Sequence, residues 1–288
     1  MVRKDSKDNS FHEPWKIFAE RYLYATSPST PYDDDMKVIE EELKAFLKNT
    51  SKAKNDMNVL ILGCTIRYRE LLAKYGIKTT LADLNEEMYK VNTYSIENRK
   101  VVDIKELNEK LIIANWVDMD LKQKFDIILG DFVLPNIMPE QRKNFLVNIK
   151  KHLAEDGMFI TRACNHPKRP CTSQQIVEYY ANKPLTQQYN NELWMDVFYS
   201  YAYDEKTHRV HNEEGYLKFK EAMKSYTKMK AWVKFFEEKM PIAKKTWIIF
   251  KEDEQEKELS KHFKIIRKSF SKDYKGWWDC PTYVMKLR

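Results

Sequence analysis

The stretch Met57–Asp83, MNVLILGCTIRYRELLAKYGIKTTLAD, decides the fold. It opens with MNVLIL (Met57–Leu62), a run too short for an ordinary helix and too uniformly apolar for a half-exposed strand. That is the pattern of a strand covered on both faces in a parallel sheet. Gly63 ends the run, where a residue without a side chain lets the backbone turn sharply and lets a ligand approach the strand end. Arg67–Tyr75 then reads as a helix and Lys78–Ala82 (KTTLA) as a second buried strand. Asp83 closes that strand, twenty residues beyond Gly63. In an open α/β fold, a carboxylate at the tip of the second strand is placed to accept from the two hydroxyls of a ribose.

Outward from this unit, the same texture continues. Leu111–Ala114 (LIIA), Phe125–Leu129 (FDIIL) and Gly157–Thr161 (GMFIT) are further short apolar strands. Asn85–Arg99 and Pro139–Leu153 are the helices between them. In the second helix, Pro139 suits the first turn, and Phe145, Ile149 and His152–Leu153 recur at helical spacing. Strand–helix alternation of this kind predicts a doubly wound, Rossmann-like α/β sheet. At the end of the chain, Trp247–His262 is expected to be a helix with the exposed face EDEQEKELSKHF. Phe263–Phe270 and Thr282–Leu287 are expected to be two closing strands. The link between them is too short for a crossover helix, so they should form an antiparallel pair at the edge of a seven-stranded sheet.

Two more strand ends carry polar groups. The third strand runs into Asn115-Trp116-Val117-Asp118, an amide and an indole able to read and cover a purine, with Asp118 expected as a solvated turn residue. The fourth runs into Gly130-Asp131-Phe132, which sets a carboxylate opposite the nucleoside position. With these ends in place, VLILGCT, LADLNEEM, ANWVDMD, FDIILGDFVLPNI and LAEDGMFITR together resemble the class I S-adenosylmethionine-dependent methyltransferases. The likeness covers Met57–Arg162, and the closing strands extend it. It implies that the loop Gly63-Cys64-Thr65 approaches the methionine part of the cofactor S-adenosylmethionine. It implies that Asp83, with Leu84 beside it, holds the ribose, and that Asn115 and Trp116 flank the adenine. By the same resemblance Asp131 faces the methyl group and the substrate, and is the first candidate for a catalytic base. The family's G-x-G-x-G is reduced here to its first glycine, in Gly63-Cys64-Thr65-Ile66-Arg67. A dinucleotide's pyrophosphate needs the later glycines. S-adenosylmethionine has no phosphate and tolerates their loss. Asp83 also suits an N-cap for the helix that follows, a role compatible with ribose binding.

Composition agrees with a folded domain. Of 288 residues, 43% are hydrophobic and 13% aromatic, too many for a disordered chain. Mean hydropathy is −0.68 and no apolar run reaches membrane-spanning length. The opening MVRKDSKDNS lacks the apolar stretch of a secretory signal, so the expectation is a cytoplasmic protein. The four cysteines, at 64, 164, 171 and 280, form no C-x-x-C pair; no metal site is expected, and Cys64 and Cys164 read as small core residues. A net charge of +7 permits an anionic partner without requiring one.

The expected organisation has four parts: an N-terminal helical cap (1–50), the cofactor-binding core (51–165), a helical insertion (166–245) and a C-terminal helix with two strands completing the core (246–288). In the cap, Pro14 opens a helix, and Arg21, Tyr22 and Tyr24 are candidates for a lid over the cofactor; the acidic Asp33–Leu47 begins the next helix. The insertion is dense in aromatics, among them Tyr179, Tyr180, Tyr189, Trp194, Phe198, Tyr199, Tyr201 and Tyr203. Most form its core, and some are placed to line a pocket for an apolar or cationic acceptor. His208 and His211 read as a polar turn. Lys218–Lys245 reads as an amphipathic helix with a solvated basic face, or as a surface for RNA. The expected function is methyl transfer to an oxygen or nitrogen of a small-molecule or peptide-like acceptor. An RNA methyltransferase and a non-catalytic interaction protein on the same fold are the alternatives. A homodimer is the default assembly.

Overall fold

The computed structural model describes residues 26–167, 171–239, 245–273, 277 and 279–288. Its helices and strands run α1 (Asp33–Asn49), β1 (Val59–Leu62), α2 (Ile66–Lys74), β2 (Thr79–Asp83), α3 (Glu86–Arg99), β3 (Glu109–Ile113), β4 (Phe125–Asp131), α4 (Pro139–His152) and β5 (Leu153–Arg162). There follow α5 (Ser173–Tyr180), α6 (Gln187–Tyr201), β6 (Tyr203–Asp204), β7 (Arg209–His211), α7 (Asn212–Met223), α8 (Lys230–Lys239) and β8 (Thr246–Ile248). The chain closes with α9 (Glu252–Leu259), β9 (Phe263–Phe270) and β10 (Pro281–Leu287).

Because successive strand residues face opposite ways, β1 serves two cores at once. Val59 and Ile61 pack with Ile39 and Leu43 of α1 and Tyr68 and Leu72 of α2. Leu60 and Leu62 pack on the other side with Phe145, Leu146 and Ile149 of α4 and Leu259 of α9. Helices therefore cover both faces of the central strands, which is why β1, β2 and β4 are buried almost throughout, while the outer β9 alternates. Strand order is β3-β2-β1-β4-β5-β10-β9. β10 runs antiparallel to both β5 and β9, and the other pairings are parallel. The expected Rossmann-like sheet with its antiparallel finish is thus present. The order reverses between β1 and β4, so their carboxyl ends open the crevice where such folds take ligands.

The tail and the insertion differ from expectation in one respect. Trp247–His262 is not one helix: Thr246–Ile248 is a strand, and the helix is confined to Glu252–Leu259. TWI is β-branched and aromatic, and it pairs antiparallel with Arg209–His211, which also pairs with Tyr203–Asp204. The insertion is therefore not purely helical, and its last strand lies beyond residue 245. Its own core joins Ile176, Tyr180, Leu193, Phe198, Phe219 and Trp232. His208 lies in the turn between β6 and β7, as expected, and stacks on Phe250 at 4.5 Å, whereas His211 ends β7 and contacts Thr246 Oγ1 at 3.1 Å.

Gly215 shows how tightly α7 lies on α6. A β-carbon there would meet Ala202 Cβ at 2.6 Å and Phe198 Cδ1 at 2.9 Å. Gly215→Ala should cost about 1–3 kcal/mol through overpacking, read as a lower midpoint in urea unfolding. An unchanged midpoint would mean the two helices separate freely.

Candidate functional site

Three of the residues singled out in the sequence meet at the carboxyl ends of β1 and β2. Gly63 has φ +92°, a left-handed conformation that side-chain-bearing residues rarely adopt. Its N–H donates to Ala82 O at 2.8 Å, which ties the loop to β2. A β-carbon on Gly63 would lie 3.7 Å from Asp83 Oδ2 and 3.7 Å from Trp116 Cζ2. The Trp116 indole is fixed in that position because Nε1 donates to Ala82 O at 2.6 Å.

Asp83 accepts from the Asn85 N–H at 2.8 Å and from the Cys64 thiol at 3.7 Å. Burial pushes its carboxyl up to about 6; the opposing contributions are hydrogen bonds from Asn85, Cys64 and Leu84, with no basic side chain among them. A carboxylate withdrawn from water without a cation has unused acceptor capacity, which hydroxyl donors would satisfy. The helix cap expected of Asp83 is made instead by Asn85, whose side chain accepts from Glu87 N (2.9 Å) and Met88 N (3.3 Å). Asp83 is thereby left to the crevice. Leu84, beside it, is an exposed apolar side chain.

The other loop residues are structural at first sight. Cys64 is buried, burial pushes its thiol well up, and its carbonyl accepts from Asn92 Nδ2 at 3.0 Å. Thr65 is the N-cap of α2 without a side-chain capping bond. Asn115 holds a local turn: its Oδ1 accepts from Val117 N at 3.1 Å, and its carbonyl takes Asp118 N and Met119 N. That turn presents Trp116. Asp118 is exposed, as expected of a turn residue. Tyr22, with Arg21 and Tyr24, lies outside the described residues.

At the tip of β4, Asp131 meets a partner that the sequence reading did not assign. Arg162, at the end of the neighbouring β5, donates Nε to Asp131 Oδ1 at 2.7 Å and an NH2 to Oδ2 at 3.2 Å. Both residues' side chains are buried. The same guanidinium reaches Asp35 Oδ2 at 3.4 Å and Pro28 O at 2.7 Å. Burial by itself would favour the neutral form of Arg162, but the carboxylates of Asp131 and Asp35 outweigh it and hold the charge. Burial pushes the Asp131 carboxyl up, and Arg162 opposes it. Asp131 therefore faces a fixed cation with both oxygens engaged, which disagrees with its reading as a free general base. Arg162 also lies over the Phe132 ring at 4.1 Å, and Phe132 holds φ 50°, an uncommon conformation for a bulky residue. A charged residue ending the otherwise apolar run GMFIT was the available signal for this centre, since buried arginines need carboxylate partners.

The basic run of the insertion is divided between α7 and α8, and much of its charge is paired locally. Lys218 pairs with Glu214, Lys220 with Glu237, Lys224 with Glu221 and Lys234 with Glu238. These are exposed pairs on a solvated face, in line with the amphipathic reading. Among the described residues no helix is long and apolar enough to cross a membrane.

The seven strands, with β10 antiparallel between β5 and β9, define the class I methyltransferase fold. No family model matches the chain, and no curated protein matches it in sequence. Solved structures share its fold. One is an S-adenosylmethionine-dependent methyltransferase from Clostridium acetobutylicum, 16% identical, with 95% of this chain and 98% of that one covered and a TM-score of 0.53. Magnesium protoporphyrin IX methyltransferase from Synechocystis, solved with S-adenosylhomocysteine, is 10% identical over 95% and 94% of the two chains, with a TM-score of 0.50. A protein described as a putative Zn-dependent alcohol dehydrogenase from Rhodobacter sphaeroides is 12% identical over 98% and 100%, with a TM-score of 0.57. At these identities the likeness establishes the fold, and the activity has to be argued from the site.

Proposed function

We propose that this protein is an S-adenosylmethionine-dependent methyltransferase acting on a small-molecule or peptide-like acceptor. The observation that carries the reading is the convergence of Gly63, Asp83 and Trp116 at the switch point, with a buried carboxylate that has no cation of its own. The group fits this donor set: Asp83 suits a ribose diol, the open left-handed turn at Gly63 suits a close approach, and Leu84 and the Trp116 indole suit the two sides of a purine. Cys64 and Thr65 complete the loop on the methionine side. When bound, S-adenosylmethionine supplies a methyl group on a sulfonium, ready for in-line displacement. This chain's own contribution is then chiefly to place acceptor and cofactor and to exclude water. Asp131, at the tip of β4, would face the methyl end of the cofactor by resemblance, and it stays paired with Arg162. Proton removal from the acceptor falls to the acceptor's own ionisation or to a group of the insertion.

Calorimetric titration tests this. S-adenosylmethionine and S-adenosylhomocysteine should each bind with micromolar affinity. Asp83→Ala should weaken both by roughly tenfold to a hundredfold, the scale of a lost hydrogen bond to a charged group. A folded wild-type protein that binds neither would leave the fold as a scaffold for interaction.

A further inference from the structure

The face of α6 turned toward the N-terminal segment and the tail carries Glu192 and Asp196, one helical turn apart. Asp196 is occupied: it accepts from Tyr180 Oη at 2.5 Å and from Trp277 N at 3.3 Å. Glu192 is 2% exposed yet receives neutral donors, Tyr32 Oη at 3.4 Å and Gln188 Nε2 at 3.3 Å. Burial is the main influence on its carboxyl and pushes it up. Its charge reaches an aromatic group on the neighbouring helix. Tyr179 packs edge-on against Trp277 at 5.5 Å, and the Tyr179 phenol feels both Glu192 and Tyr189.

A cation already lies among these rings. Lys183, on the short link between α5 and α6, sets its Nζ 4.8 Å from the Tyr179 centroid and 5.3 Å from that of Tyr189. Its charge also acts on Glu192. Two ring faces and a buried carboxylate are the chemistry that recognises an ammonium group. The cluster is joined to the sheet edge through one residue. Tyr32 reaches Glu192 with its hydroxyl, and its N–H donates to Asp35 Oδ2 at 3.0 Å. Asp35 in turn meets Arg162, the partner of Asp131 at the tip of β4.

We propose that Tyr179, Tyr189 and Glu192 receive an ammonium group carried by the methyl acceptor, and that Lys183 holds its place until the acceptor arrives. This rests on the methyltransferase reading for the word acceptor, but the cage can be tested without it. An internal cation that mimics the ligand competes with it, so removing the mimic should strengthen binding. An anion site built around Lys183 would behave in the opposite way.

The probe is choline, titrated against its uncharged carbon isostere 3,3-dimethylbutan-1-ol and against acetate, with binding read by ligand-observed NMR. Choline should bind about tenfold more tightly than the isostere, the scale of a cation–π contact. Lys183→Ala should tighten choline severalfold, whereas Tyr189→Leu and Glu192→Gln should each weaken it. Circular dichroism confirms that each variant is folded, and Lys183→Ala, at a half-buried link position, carries the test if Glu192→Gln does not fold. Equal binding of choline and its isostere, weaker choline binding in Lys183→Ala, or preferential acetate binding would each overturn the proposal. S-adenosylhomocysteine is titrated in parallel. Its binding with no discrimination of choline sinks the cage alone; discrimination of choline without nucleoside binding sinks the methyltransferase reading and leaves the cage.

Discussion

Arg162→Met is expected to remove about 3–5 kcal/mol of folding free energy, the scale seen when one member of a buried ion pair is deleted. Arg162 is fully buried and meets Asp131 and Asp35, whose side chains are also buried. Without the guanidinium, two carboxylates face each other with only hydrogen-bond donors left. Thr282 Oγ1 reaches Asp35 Oδ1 at 3.1 Å, and Tyr32 N reaches its Oδ2 at 3.0 Å. A loss of that size is a large share of the stability of an ordinary domain, roughly 5–15 kcal/mol. The double variant with Asp131→Asn should recover part of it, because one uncompensated charge goes with the cation. The pH dependence has a definite sign. With Arg162 gone, nothing opposes the burial that pushes the Asp131 carboxyl up, so the native state binds a proton that the unfolded chain does not. Stability then falls as pH rises. Urea unfolding of Arg162→Met should therefore improve from pH 8 to pH 5 relative to wild type. A cost below about 1 kcal/mol, the range of a solvated pair, would show that this centre is open to water.

The centre of the sheet was readable because its strands are buried on both faces. VLIL, TTLAD and FDIILGD are local patterns, and their meaning does not depend on distant residues. The places of Gly63 and Asp83 at strand ends were readable for the same reason. What the sequence concealed was pairing. Asp131 and Arg162 are far apart in the chain but adjacent at the ends of β4 and β5, where Asp131 stands opposite Arg162 in the register. Asp35 joins them from α1, where it reads simply as one of three acids suiting a helix start. The turn held by Asn115 was hidden as well, because an amide at a strand end suits a purine and a local turn equally. Trp247 misled because the charged run after it suggested a longer helix, while its true partner, Val210, lies across the insertion. The cage around Glu192 brings together a link lysine, two helices and the segment before α1, and no spacing rule connects these.

Asp83→Asn should separate stability from function in opposite directions. The wild-type carboxyl titrates near 6 in the folded chain because of burial, against an ordinary value of 3.8. Between those values the native state holds a proton that the unfolded chain has released. Wild-type stability therefore falls as pH rises across this window, and above it the full cost of keeping the charge buried remains. Two units correspond to at most about 3 kcal/mol at 1.36 kcal/mol each. The amide carries no charge to desolvate and can still accept from the Asn85 N–H. The variant should therefore unfold at higher urea than wild type at pH 8, with the gap closing as pH falls toward 4. Its affinity for S-adenosylhomocysteine should drop roughly tenfold to a hundredfold, as one strong acceptor becomes a donor. Wild-type affinity should itself decline as pH is lowered through about 6, and the variant's should not. Stability and affinity that fall together in Asp83→Asn, at every pH, would mean that the carboxylate is a structural support. A gain in one against a loss in the other is what a binding residue shows when its charge is kept buried for a ligand and not for the fold.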